Sequence, residues 1–135
     1  MKTVLLTFLV FLIYGCVTIN NKPKSLIGKW DNSYQIQQKD STGAWGDWQT
    51  INTLVALPQL EFTANGKILW DGKPATGCCQ YLSYKFVKNK IEVSDMTPSE
   101  LCNCIFCEKW EIEKLTDEIL EMNSCFNKVR YSRSN

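Results

Sequence analysis

The sequence predicts an all-β fold, an antiparallel up-and-down barrel of about eight strands. Three observations carry this. Apolar and aromatic residues recur with period two in short runs. Turn residues separate those runs at even, hairpin-like intervals. No long stretch of the 110 or so C-terminal residues keeps a helical period, and no segment repeats.

In chain order, Trp30, Asn32, Tyr34 and Ile36 alternate with Asp31, Ser33, Gln35 and Gln37, which predicts a first strand within residues 25–38. Gly28 lets the chain bend close to another segment. The turn cluster at residues 39–43 leads to Trp45 and Trp48, with Gly46 between them. The β-rich residues 50–57 predict a second strand, stopped or placed at an edge by Pro58. Asn65-Gly66 between alternating runs is the strongest hairpin signal in the chain, with Leu60 and Phe62 on one arm and Ile68 and Trp70 on the other. Leu82, Tyr84 and Phe86 predict one face of a strand, with Tyr81, Ser83 and Lys85 on its reverse. The chain turns at residues 88–90 and returns through Ile91 and Val93. Residues 94–107 are irregular, and Pro98 is placed to start one short helical turn. A late hairpin pairs a strand bearing Trp110 and Ile112 with one bearing Leu120 and Met122, and Val129 and Tyr131 mark the closing strand.

The N-terminus sets the compartment. One positive charge at Lys2 precedes about 11 largely apolar residues, the length of a secretory h-region and too short for a membrane span of roughly 20. The run ends in Leu12-Ile13-Tyr14-Gly15-Cys16, a small residue before a cysteine, as at a bacterial lipoprotein processing site. The expectation is a signal peptide over residues 1–15, a lipidated Cys16 with a polar tether over 16–25, and one domain over 26–135. Lipidation anchors the protein through several acyl chains, each buried CH₂ contributing about 0.8 kcal/mol. No acidic cluster follows Cys16, which favours a periplasmic face over the cell surface.

Composition narrows the function classes. About 110 residues support one core. Once Lys2 is removed the basic residues equal the 14 acidic ones, and no basic run is present, which argues against a nucleic-acid partner. The chain has no histidine, so His-dependent catalysis is excluded and no enzyme or cofactor is expected.

Seven cysteines are present. With Cys16 lipidated, Cys78, Cys79, Cys102, Cys104, Cys107 and Cys125 remain, an even number that predicts three disulfides in an exported domain. Fifteen connectivities are open. A bridge between the adjacent Cys78 and Cys79 is strained, so each is expected to pair elsewhere. Cys104-Ile105-Phe106-Cys107 also has the spacing of a thioredoxin-type redox pair, but β-type sequence follows it rather than a helix. A tetrahedral thiolate zinc site is the third reading of the cluster, and oxidising surroundings oppose it.

Leu26-Ile27-Gly28-Lys29-Trp30 resembles the Gly-x-Trp opening of lipocalins. The stretch Leu60-Glu61-Phe62-Thr63-Ala64-Asn65-Gly66-Lys67 resembles a mid-barrel hairpin of bacterial lipocalin-like lipoproteins, residues 110–120 resemble their late hairpin, and Tyr131-Ser132-Arg133 their closing strand. The resemblance implies an up-and-down barrel, an outer-membrane lipoprotein and a small apolar ligand. It also implies that Trp30 closes the barrel floor, packed by Arg130 or Arg133. The middle lipocalin motif is not located in this sequence, and the cysteine cluster is not standard for that family.

Two readings of the aromatics stay open. They line a ligand cavity, with Trp45, Trp48, Trp70 and Tyr84 as ligand or rim contacts, or they fill a small barrel whose exposed rim contacts a protein or glycan. Glu111 and Glu113 share the outward phase of a strand, where a solvated face is favoured over paired-carboxylate glycoside chemistry.

Overall fold

The computed structural model describes residues 25–97 and 102–135. The expected signal peptide, the expected lipidation site at Cys16, most of the expected tether and the helical turn expected at Pro98 lie outside the described residues. Among the described residues nine strands form: β1 (Gly28–Gln38), β2 (Gln49–Thr50), β3 (Leu60–Phe62), β4 (Ile68–Trp70), β5 (Tyr81–Val87), β6 (Lys90–Met96), β7 (Lys109–Leu115), β8 (Ile119–Asn123) and β9 (Asn127–Arg133). All pairings are antiparallel, in the order β4-β3-β1-β9-β8-β7-β6-β5, with β2 attached to β1. The two outer strands approach each other through a bridge between Lys67 and Ser83 and a bond from the Tyr84 N–H to the Gly66 carbonyl, 2.8 Å. The result is a nearly closed eight-stranded up-and-down barrel, as the alternation predicts.

The hairpins follow from local chemistry. Gly66 sits at φ 81° in the β3–β4 turn. Lys88 and Asn89 both have positive φ, 47° and 64°, which matches the twist a tight β5–β6 hairpin needs. The Thr116 hydroxyl accepts from the N–H groups of Glu118 and Ile119 in the β7–β8 turn. In β1 two extra residues lie between the Asn32–Tyr131 and Gln35–Arg130 pairs. Tyr34 there takes φ 57°, its N–H bonded to the Asn32 side chain at 2.7 Å. An even insertion keeps the phase, so Trp30 and Ile36 stay on one face.

Two strand expectations are corrected. Of the second strand expected over residues 50–57 only Thr50 pairs, together with the preceding Gln49, and residues 51–57 run as an irregular rim segment. Leu54 and Val55 are exposed there because no neighbour lies beside them to cover a strand face. The face assignment in β5 fails at its upper end: Tyr81 is buried edge-on against Trp110, ring centroids 5.8 Å apart, and Leu82 is half-buried. Across the ladder Asp95 adopts φ 55°, which breaks the alternation of β6 at the same level.

The interior is occupied by side chains. Leu26, Trp30, Leu60, Phe62, Ile68, Ile91 and Leu120 have no exposed surface, and Tyr84, Val93, Ile112, Met122 and Tyr131 are buried among them. Phe62 and Tyr84 meet edge to face at 5.0 Å across the β4–β5 seam.

One end, the floor, is locked. The Trp30 Nε1–H donates to the Leu26 carbonyl at 3.0 Å. The Arg133 guanidinium stacks on the Trp30 ring, its Cζ 3.9 Å from the centroid. The same group donates to the carbonyls of Ile27 (2.9 Å), Asp117 (3.1 Å) and Ser25. Gly28 has φ 131°, and a Cβ there would stand 2.7 Å from Arg133 Nη1. The glycine therefore meets two demands at once, a backbone conformation closed to L side chains and room for the guanidinium. Gly28→Ala is expected to destabilise the domain by about 1–3 kcal/mol in urea unfolding. In an Arg133→Ala background the same change should cost less, because only the backbone part remains. Equal costs in both backgrounds would contradict this account of the floor.

Candidate functional site

The end opposite the floor is an open rim built by four segments: residues 39–59, the loop at 71–80, the loop between β6 and β7, and the β8–β9 turn. Three disulfides staple it: Cys78–Cys102, Cys79–Cys104 and Cys107–Cys125. The adjacent Cys78 and Cys79 each pair into the 102–104 stretch rather than with each other. Cys104 and Cys107 go to different partners, which removes the thioredoxin-type pair, and all six thiols are consumed. Among the described residues no group of His, Cys, Asp or Glu is arranged to hold a metal ion.

Hydrogen bonds complete the staple. The Cys107 N–H donates to the Tyr81 hydroxyl at 3.0 Å. The Thr97 hydroxyl donates to the Gly77 carbonyl at 2.6 Å and accepts from the Gln80 N–H at 3.2 Å. All three bonds fasten the β6–β7 connection to the head of β5.

The residues expected to touch a ligand are distributed differently. Trp45 and Trp48 are not free at the rim. They fold back on the outer wall, with Lys39 and Lys128 at 5.0 and 4.9 Å from the Trp45 ring and Arg130 at 4.2 Å from the Trp48 ring. Cation–π attraction to the outward side chains of β9 is the physical reason. Arg130 is consequently no part of the floor. Its guanidinium lies outside, bonded to Glu121 (2.9 Å) and Gln35 (2.6 Å), and Arg133 alone stacks on Trp30. Tyr84 is core rather than rim: it is 2 % exposed and its hydroxyl donates to the Thr63 carbonyl at 2.7 Å. Trp70 is half-buried against the core with its Nε1 3.5 Å from the Tyr81 carbonyl, so it seals the upper seam. Glu111 and Glu113 point outward and are separately paired with Lys90 (2.7 Å) and Lys128 (3.2 Å), a solvated charge ladder. Lys90 holds the exposed Glu111 carboxyl below its ordinary pKa.

The apolar surface at the rim comes from residues the periodicity did not single out. Ile105 and Phe106 are 72 % and 69 % exposed, and Phe126 is 52 % exposed. All three sit beside the Cys107–Cys125 bridge, whose Cα atoms are 6.0 Å apart. Leu54 and Val55 add a second exposed pair in the 51–59 segment. Two bulky apolar residues placed between half-cystines were the available sequence signal, because bridges on both sides leave them no route into the core. Two concavities open around Phe106. One, about 480 Å³, is lined by Met96, Thr97, Cys102, Asn103, Cys104, Ile105 and Phe106. The other, about 390 Å³, shares Met96 and Phe106 and includes Tyr81, Val93, Ser94, Asp95 and Glu108. A third of about 470 Å³ lies between Tyr34 and residues 50–56.

No family model matches the chain, and no curated protein matches it. Two solved structures do. One is an uncharacterized protein from Bacteroides eggerthii, 18 % identical, with TM-score 0.51, covering 81 % of this chain and 99 % of that one. The other is a lipocalin-like protein from Bacteroides uniformis, 18 % identical, with TM-score 0.49, covering 82 % of this chain and 99 % of that one. At this identity the first likeness is one of fold.

Two outcomes test this geometry. Replacing Cys107 and Cys125 together by serine removes a cross-link spanning 18 residues and is expected to cost about 3 kcal/mol in chemical unfolding. A loss below about 1 kcal/mol would contradict the staple. Burial pushes Tyr84 and Tyr131 up to about 12. Their folded pKa lies above the unfolded value near 10, so the stability they contribute is intact below pH 10 and is lost as pH rises through 12. Ultraviolet titration should show two tyrosines ionising only near pH 12, together with unfolding. Their reversible ionisation near pH 10 in folded protein would refute the buried placement.

Proposed function

We propose that this protein is a lipid-anchored envelope lipoprotein that binds a small apolar molecule at the open rim of its barrel and performs no catalysis. Cys16 carries the anchor in the outer membrane, facing the periplasm. One observation carries the binding reading: the barrel interior is full, yet Leu54, Val55, Ile105, Phe106 and Phe126 stay exposed at the rim, the last three beside one disulfide. Exposing large apolar side chains forgoes about 1.5–3 kcal/mol each, and a covalently fixed rim loses little further entropy when a ligand covers them. The ligand therefore sits at the mouth rather than along the axis. The Ser25 carbonyl accepts from Arg133 at the floor, the end away from the rim, which supports an anchor on that side and a free rim.

A second reading, a non-catalytic contact module for a protein or glycan, is favoured by the same packed core. A neutral probe separates the two. Octyl glucoside below its micelle concentration should bind wild-type protein, and Phe106→Ser should weaken it about ten-fold or more. Absence of binding to wild type would leave the contact module. Intact mass of membrane-extracted protein should carry a lipid adduct on Cys16, and Cys16→Ser should release the protein from membranes. An unmodified cysteine at residue 16 would overturn the anchor.

A further inference from the structure

The two concavities that meet at Phe106 differ in chemistry. The first is apolar, with Met96, Ile105 and Phe106 on its wall and polar atoms from Thr97 and Asn103. The second has an apolar base of Tyr81, Val93 and Met96, and its charged side chains are Asp95 and Glu108, both acidic. The ion pairs formed among the described residues are elsewhere: Lys90–Glu111, Lys128–Glu113 and Arg130–Glu121. Asp95 and Glu108 thus border one groove with no basic side chain on its own wall, while on their far sides Asp95 adjoins a concavity with Lys67 and Lys85, and Glu108 one with Lys85 and Lys109, none of them ion-paired to either carboxylate. Phe106, 69 % exposed, borders both halves and offers its ring to either. The left-handed backbone at Asp95 leaves Ser94 and Asp95 both exposed on the outside of β6, so the carboxylate joins the groove instead of following the strand alternation.

We infer that this groove takes a cationic amphiphile, a molecule with an apolar chain and an amine or quaternary ammonium head. The chain lies along Met96, Ile105 and Phe106. The head sits between Asp95 and Glu108, within reach of the Phe106 ring face, where cation–π attraction adds to the charge pairing. Charge complementarity selects this occupant: an anionic head meets two like charges, and a neutral head gains nothing from them. The bracketing bridges Cys79–Cys104 and Cys107–Cys125 hold the groove wall in its bound shape before ligand arrives. This inference deepens the apolar-ligand reading and rests on it.

The test compares three probes of equal chain length, octyltrimethylammonium, octyl glucoside and octyl sulfate, by calorimetry with the disulfide-intact domain below micelle concentrations. The ammonium probe should bind at least ten-fold more tightly than the glucoside, and the sulfate more weakly than either. Asp95→Asn with Glu108→Gln should bring the ammonium probe down to the affinity of the glucoside without changing the glucoside. The preference should also shrink as salt rises from 20 to 500 mM, because the carboxylates are exposed. Phe106→Ala should weaken all three. Equal binding of the three probes would overturn this inference while leaving the apolar-ligand reading standing. Binding of none would overturn both. Unchanged ammonium affinity in the double variant would show that the charge pairing does not occur. Far-ultraviolet dichroism and thermal unfolding of each variant confirm that the barrel is intact.

Discussion

Arg133 stacked on Trp30 is the contact on which the rest of the molecule depends. It joins the last strand to the first, and β1 and β9 form the longest ladder in the barrel. The guanidinium also gathers carbonyls from Ser25, Ile27 and Asp117, so the N-terminal entry, the first strand and the β7–β8 turn converge on one cation. A planar group with five donors does this where an ammonium does not. Gly28 is the sequence cost of the arrangement, since any side chain there would occupy the space of Nη1. With one end closed in this way, the strands can diverge toward the other.

At that other end the chain relies on covalent bonds instead of packing. The rim segments carry few residues that reach the core, and hydrophobic burial cannot hold them. Three disulfides take over. They link the head of β5, the β6–β7 connection and the β8–β9 turn into one rigid collar. A small domain of this size gains much from such cross-links. The collar has a consequence for function: it fixes Ile105, Phe106 and Phe126 outside the core, an arrangement that packing alone would not sustain.

Strand identity was legible wherever one face of the sheet is buried, because a period of two is then enforced by the core. Trp30 and Ile36, Leu60 to Trp70 and Trp110 to Tyr131 read correctly for that reason, but the two-residue insertion that takes Tyr34 out of the alternation left no mark in the pattern. The reading failed where no such face exists. Residues 51–57 are β-rich in composition but have no partner strand beyond Thr50. Tyr81 was misassigned because the irregularity that turns it inward comes from Asp95 on the neighbouring strand, fourteen residues away in sequence. Trp45 and Trp48 read as exposed because their partners, Lys128 and Arg130, lie on the last strand. The connectivity of the cysteines was narrowed by the adjacent Cys78 and Cys79 but fixed only by topology, which brings the β8–β9 turn next to the β6–β7 loop.

The central claim is a barrel filled along its axis whose binding surface is its stapled rim. The most direct measurement is an amide and methyl chemical-shift titration of isotope-labelled domain with octyltrimethylammonium below its micelle concentration. The account predicts shifts confined to Tyr81, Val93 to Thr97, Cys102 to Glu108 and Phe126. Shifts centred on Trp30, Phe62, Ile68 and Leu120 would place the ligand inside the barrel and contradict it.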